Sequence, residues 1–379
     1  MIPALPKVLI VGAGAVGLRT AQEALRRGCR VVVRAPFPPL DPRTCSVGAG
    51  GLWMPFRCDD VRVDRWALET FQELYELQQT PASDDLVETL PALYLLHEST
   101  STVQDEPPTW TRDPRLLFQI LALSEIAKQA DIVIPPVEEF QSAGYSHAWL
   151  FYPLIVNAPR MLEYLLQQVQ QSAADVDVET GEYMESIEHM VDTAKILGCT
   201  AVINCTGLGA AQIAGCQSSD DDLTGARGIL LQYDRTSCVR RSQVDRSGKQ
   251  RKDTLIMIDE GPWGSDTMPS YLIPRGDQIV VGGSYLPGDT ESSIRLEERK
   301  RLLSNAHRLG IDVNQCAPHG EWTGFRPKRS AGVRCEADPT YADGPVKVLH
   351  NYGHGGSGWT INVGAAKECL DILLRNKPL

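Results

Sequence analysis

The chain has no apolar run approaching the roughly 18 to 20 residues that a helix needs to cross a bilayer. It also lacks the charged start and small-residue cleavage site of a signal peptide. Positive charge is not in surplus: 37 Lys and Arg against 48 Asp and Glu give a formal net charge of −11, which argues against nucleic acid or an anionic membrane as the main partner. The ten cysteines, scattered from Cys29 to Cys369, form no CxxC pair, and the histidines are not clustered, so no metal site is expected. Free thiols in a reducing compartment are the expectation. Cys205 on an apolar strand and Cys369 on the inner face of the last helix read as packing residues; Cys45 is the thiol whose role stays open.

Two glycine loops stand out against these absences. Val8-Leu9-Ile10-Val11 reads as a buried strand and is followed at once by Gly12-Ala13-Gly14-Ala15-Val16-Gly17. Leu18, Ala21 and Leu25 then share a helical face, Gly28 stops the helix, and Arg30-Val31-Val32-Val33 makes a second strand. This is GxGxxG in the strand-loop-helix-strand setting that places a pyrophosphate on a helix N-terminus. The acidic residue expected at the end of the second strand, to hold an adenosine ribose, is missing; Arg34-Ala35-Pro36 stands there. Taken alone, Arg34 would suggest a 2′-phosphate and NADP.

The second loop, His350 to Thr360, contains Gly353, Gly355, Gly356 and Gly358. It lies between a strand ending at Val346, Val348 and Leu349 and a helix whose apolar residues Ile361, Val363, Ala366, Leu370 and Leu373 recur at helical spacing. A bare helix start of this kind offers free N–H groups and partial positive charge to an anion or to a ring edge that becomes negative. The simpler reading is a sharp turn with Thr360 as a local cap.

Between the loops the chain alternates helix and strand, as in an α/β protein, with 42% hydrophobic and 22% charged residues over 379, enough for two interleaved domains. Arg65 to Leu77 and Pro159 to Val169 read as amphipathic helices. The runs 201–204, 228–232, 255–258 and 278–281 read as short strands of a mainly antiparallel sheet. Asp234 to Asp253, with Arg235, Arg240, Arg241, Arg246, Lys249, Arg251 and Lys252, reads as a solvated hairpin loop rather than an anion-docking patch, because acidic residues and Gly248 interrupt it.

Together these segments resemble the D-amino-acid oxidase family of FAD enzymes, which includes D-aspartate oxidase, over nearly the whole chain. The carriers are Gly12/Gly14/Gly17, Ala49-Gly50-Gly51-Leu52-Trp53-Met54-Pro55, Asn204-Cys205-Thr206-Gly207, Ser270-Tyr271-Leu272-Ile273-Pro274-Arg275, Gly324-Phe325-Arg326-Pro327 and the His350 to Thr360 run. The resemblance implies an α/β (α+β) fold in which a Rossmann-like FAD-binding domain (1–57, 155–222 and 324–379) interleaves with a mainly antiparallel substrate-binding domain (58–154 and 223–323). FAD is the implied cofactor. Its implied contacts are Gly12, Gly14, Ala15, Val16, Gly17, Arg34, Ala35, Thr44, Cys45, Ala49, Gly50, Gly51, Leu52, Met184, Thr206 and Gly207, then Gly355, Gly356, Ser357, Gly358, Trp359 and Thr360. The implied reaction oxidises a D-amino acid at its α-carbon, giving a 2-oxo acid, ammonia and hydrogen peroxide from oxygen.

A flavin dehydrogenation needs few groups. The substrate must be held with its α-hydrogen at the flavin N5, and an arginine gripping the α-carboxylate through two parallel hydrogen bonds does this better than lysine. Arg326, fixed between Gly324 and Pro327, matches the family's carboxylate-binding arginine; from local sequence alone it could equally be a surface residue. Tyr271 matches a tyrosine that meets the same carboxylate, and a phenol, protonated at neutral pH, serves as donor rather than base. No histidine falls at an obvious catalytic position. Hydride transfer from the neutral amine without a dedicated base is therefore expected, with negative charge on the flavin edge meeting Gly356 and the helix start at Thr360.

Departures from the family pattern bear on the substrate. Thr267 stands where vertebrate members carry a lid tyrosine, which suggests a wider pocket. Tyr285, after Gly282-Gly283-Ser284, stands where D-aspartate oxidases have an arginine, leaving Arg275, Arg57 or Lys328 as candidates for a distal carboxylate. Neutral or acidic D-amino acids are the expected substrates. A glycine or N-methyl amino acid oxidase and a non-catalytic flavoprotein are the alternatives, and a homodimer is left open. Family habit suggests peroxisomes, but the ending Lys377-Pro378-Leu379 fits the targeting tripeptide only at its leucine, so a cytoplasmic location is the other expectation.

Overall fold

The structure, a computed structural model, describes residues 5–375 except 59, 84, 100–105, 173–176, 217–221 and 239–250. Arg240, Arg241, Arg246 and Lys249 of the basic stretch, and the C-terminal tripeptide, lie outside the described residues. Within that stretch Arg235 pairs with Glu88 at 2.9 Å and with Asp253 at 3.2 Å.

The strands are β1 (Lys7–Val11), β2 (Arg30–Ala35), β3 (Val87–Thr89), β4 (Ala92–His97), β5 (Gln119–Ala122), β6 (Tyr145–Phe151), β7 (Leu154–Val156), β8 (Asp177–Thr180), β9 (Ala201–Asn204), β10 (Thr224–Asp234), β11 (Leu255–Ile258), β12 (Ser270–Arg275), β13 (Gln278–Gly282), β14 (Leu286–Pro287), β15 (Pro318–Lys328), β16 (Arg334–Ala337) and β17 (Lys347–Tyr352). The helices are α1 (Ala15–Arg26), α2 (Val63–Gln78), α3 (Leu123–Ile126), α4 (Val137–Ser142), α5 (Ala158–Gln171), α6 (Ile187–Ile196), α7 (Leu296–Arg308) and α8 (Gly358–Leu374).

One sheet runs β16-β17-β9-β1-β2-β8, parallel throughout except for the antiparallel β16–β17 edge. Both of its faces are covered, which is why β1 reads as an unbroken apolar run. Val8 and Ile10 pack toward α1 and α8, whereas Leu9 and Val11 pack toward Met190, Val191 and Ala194 of α6. Gly12 and Gly28 take left-handed conformations, at φ +115° and +79°, where the chain turns out of β1 and out of α1.

The second sheet runs β14-β10-β13-β12-β11-β4-β6-β5, with β15 also on β10; it is antiparallel apart from β11–β4. Its strands obey the two-residue period. Leu230, Leu255, Met257 and Ile273 join the core shared with the first sheet, while Ile229, Ile256, Leu272 and Ile279 pack with Leu302 and Ala306 of α7. A short β3–β7 pair completes the strands described. Helix α2, from the segment expected in the substrate domain, packs on α8, and β15 runs through the expected boundary at 324.

One expectation is overturned. Cys238 and Cys316 form a disulfide, while the other eight cysteines are free. Their separation of 78 residues hides that the end of β10 and the loop after α7 meet in space. Among the described residues no helix is long and apolar enough to cross a membrane.

Candidate active site

A cavity of about 690 Å³ opens where the C-terminal ends of the parallel strands meet the inner face of the second sheet. That is the place where open α/β sheets bind ligands. Gly12, Gly14, Ala15, Val16, Ala35, Thr44 and Cys45 line one part of it. Ala49, Gly50, Gly51, Leu52, Met184, Thr206 and Gly207 line the middle, and Gly355, Gly356, Gly358, Trp359 and Thr360 the far part, beside Tyr271 and Arg326.

The two glycine loops are built for close approach. A Cβ on Gly12 would sit 2.5 Å from the Cys205 carbonyl oxygen, and one on Gly17 would sit 1.9 Å from the Gly12 oxygen. Gly17 is therefore a packing glycine that closes the loop; it does not itself line the cavity. Helix α1 follows Gly14, which has no side chain to cap it, and carries no acidic residue in its first turn; its first amide, Ala15 N–H, donates to Ser46 Oγ at 3.0 Å, and the positive end of its dipole adjoins the cavity. Helix α8 is likewise uncapped at Ser357 and free of acidic residues in its first turn. Ser357 lies behind the wall, its Oγ accepting from Phe56 N and donating to Phe56 O, both at 2.9 Å. Thr360 is not the cap: its Oγ1 donates to the Met54 carbonyl at 3.1 Å, stitching α8 to the segment after the Gly50-Gly51 turn.

Arg326 and Tyr271 reach the cavity over glycine. Gly228 of β10 lies under the guanidinium, where a Cβ would be 2.3 Å from Arg326 Nη1. Gly282 and Gly283 lie under the phenol, where Cβ atoms would be 2.4 and 2.5 Å from Tyr271 Oη. Arg326 Nη1 donates to the Ser284 carbonyl at 2.8 Å, and its guanidinium lies 5.6 Å from the centre of the Tyr285 ring, with Arg57 5.2 Å from the same ring. Thr267 contributes its backbone rather than a wall: its carbonyl accepts from Tyr285 N at 2.7 Å, tying the loop before β12 to the segment after β13, whose Ser284 carbonyl holds Arg326.

The candidates for a distal cation are engaged elsewhere. Arg275 is buried, donates to Gln278 Oε1 at 2.9 Å and to the Ala49 carbonyl, and is pushed by burial down to about 10. Arg57 pairs with Asp266 at 3.0 Å, and Lys328 is not part of the cavity wall. Among the described residues that line the cavity, the Lys or Arg side chains are Arg43 and Arg326.

Burial pushes the Cys45 thiol up, with Arg326 opposing, so it is no nucleophile at neutral pH. Burial also holds His354, on the cavity wall, down at about 4. Arg34 is not part of the cavity wall; its Nε lies 3.4 Å from both Glu179 and Glu182. Sequence reasoning missed Phe37, Arg43, Ser46, Glu182, Met257 and Trp322, all on the cavity wall. Trp322 had a signal in hindsight: Gly48 and Gly324 are the glycines its ring lies against.

An elongated anionic dinucleotide with a planar ring fits these walls: two helix starts free of acidic residues adjoin one cavity, and the loop at α1 admits no Cβ at Gly12. The comparisons with known proteins agree. A family model described as FAD dependent oxidoreductase matches residues 7–372. A D-aspartate oxidase from Homo sapiens is 26% identical, over 97% of this chain and 94% of its own. A D-amino-acid oxidase from Dictyostelium discoideum is 24% identical, over 98% of this chain and 93% of its own. The glycine oxidase structure from Geobacillus kaustophilus superposes with a TM-score of 0.71 at 18% identity, over 98% of this chain and 96% of that one. The protein belongs to the DAO family of FAD-dependent oxidoreductases, enzymes of the amino acid oxidoreductase kind, and FAD is its cofactor.

Proposed function

We propose that the protein is a D-amino-acid oxidase for neutral substrates with an apolar side chain. The observation that carries this reading is the pairing of Arg326 and Tyr271 with an apolar wall of Leu52, Met54, Leu255, Met257 and Ile273 in one cavity. Arg326 binds the α-carboxylate through its guanidinium fork, and Tyr271 donates a hydrogen bond to the same group. The apolar wall receives the side chain and excludes water. A distal carboxylate would be desolvated there, and among the described residues the further Lys or Arg on the wall, Arg43, is paired with Asp41 at 2.6 Å; an unpaired buried charge costs several kcal/mol. The wall also leaves more room than glycine uses, which disfavours a glycine oxidase.

When bound, FAD supplies the two-electron oxidation of the Cα–H bond, and oxygen takes up the electrons afterwards as hydrogen peroxide. The chain's own part is to hold the α-carbon in line by fixing the carboxylate, and to place the uncapped start of α8, at Gly356 and Gly358, where negative charge develops. Burial lowers the His354 pKa to about 4, which leaves its imidazole a weak base at neutral pH. The expected contacts to the cofactor are those named above that line the cavity. The FAD-binding segments 1–57, 155–222 and 324–379, around a substrate-binding remainder, are proposed with them. Oxygen uptake with D-leucine or D-methionine, yielding equal amounts of ammonia and peroxide, tests the reading; no uptake with these while D-aspartate is oxidised would overturn it.

A further inference from the structure

Dinucleotide-binding units usually carry a carboxylate at the end of the second strand, where it accepts hydrogen bonds from the adenosine ribose. Here that place is held by Arg34 and Ala35. Strand β8 runs parallel to β2 with Arg34 opposite Glu179 and Ala35 opposite Thr180. At Gly181, in the left-handed region at φ +95°, the chain turns across the end of β2, its N–H donating to the Ala35 carbonyl at 2.9 Å. Glu182 follows and lines the cavity with Ala35, Phe37 and Arg43, and its Oε2 is 3.4 Å from Arg34 Nε. The surroundings suit a purine: Phe37 and Tyr183 meet edge to face with centres 5.8 Å apart, and the Arg43 guanidinium lies 3.7 Å over the Phe37 ring.

We propose that Glu182 is the carboxylate that accepts the adenosine ribose hydroxyls of FAD, replacing the acidic residue that β2 lacks. Arg34, 4% exposed, is the positioning residue that holds it. The same arrangement turns the chain against NADP, because the guanidinium that a 2′-phosphate would need already faces Glu179 and Glu182, and their charges repel a phosphate. The proposal concerns the cofactor alone and stands whichever amine is oxidised.

The test is flavin affinity of the full chain stripped of cofactor, followed by quenching of flavin fluorescence. Glu182→Gln should raise the Kd for FAD by about tenfold to a hundredfold, the usual worth of a hydrogen bond to a charged group, and leave FMN, which has no adenosine, within about twofold. Glu179→Gln removes the other carboxylate from Arg34 without touching the cavity, so its Kd for FAD should stay within about twofold. An unchanged FAD affinity in Glu182→Gln would overturn the assignment. So would an equal loss of FAD and FMN, or a loss in Glu179→Gln as large as in Glu182→Gln, since these are marks of a purely structural ion pair or a misfolded variant.

Discussion

At the scale of single residues the account rests on Arg326 and Tyr271. Replacing Arg326 with Leu should raise KM for a D-amino acid by about a hundredfold or more while the flavin spectrum stays that of the parent, a split that steady-state kinetics and a visible spectrum read together. Gly228→Ala should reproduce part of that loss, because its new Cβ would occupy the place of Arg326 Nη1. Both side chains were offered by the family resemblance rather than by local sequence, which left Arg326 as easily a surface residue; the structure brings the two to one cavity wall. The glycines beneath them were not legible, since Gly228 meets Arg326 only through the pairing of β10 with β15. Glu182 was hidden for the same reason: its partner Arg34 is a neighbour only through the β2–β8 pairing.

At the scale of elements, the strongly periodic pieces were legible. The helix expected over Arg65 to Leu77 is α2, Val63–Gln78, and the one over Pro159 to Val169 is α5, Ala158–Gln171. The strands at 201–204 and 255–258 match β9 and β11 in their ends, but β9 lies in the parallel sheet between β1 and β17, not in the antiparallel sheet expected for it, because an apolar run of four residues carries no signal of its partners. Strand β8 carried no such signal, because Asp177-Val178-Glu179-Thr180 is short, polar and at the sheet edge. Helix α7 was also unread, and it docks on the second sheet through charge as well as through Leu302 and Ala306. Arg227, fully buried, is gripped by Glu298 at 2.7 and 3.0 Å. Glu298→Leu should therefore cost about 3 kcal/mol in urea unfolding at fixed FAD, because it leaves a buried guanidinium short of its main partner. A change under about 0.5 kcal/mol would show that the pair contributes little.

At the scale of the molecule, burial of histidine sets a pH dependence. In an unfolded chain a histidine takes up its proton near pH 6.5, whereas His354 in the folded protein does so only at about 4. The unfolded state thus binds more protons between those values, and stability falls as pH drops through that window, with the loss complete below about pH 4. His350, also lowered by burial, adds to the same slope despite its 3.0 Å contact with Asp338. The melting temperature should decline from pH 7 to pH 4, and His354→Asn should flatten that decline; an unaltered slope would remove His354 from the account. The disulfide belongs to this scale too: thiol titration of the protein unfolded without reductant should find eight free cysteines, and ten would contradict the Cys238–Cys316 bond. The most direct measurement for the whole reading is anaerobic mixing of the holoenzyme with D-leucine, D-methionine, D-aspartate and glycine, with L-leucine as control, while the visible flavin band is followed. Rapid bleaching by the two apolar D-amino acids, slow or absent with the other three, is the expected result. Bleaching by L-leucine, or by D-aspartate or glycine faster than by D-leucine, would contradict it.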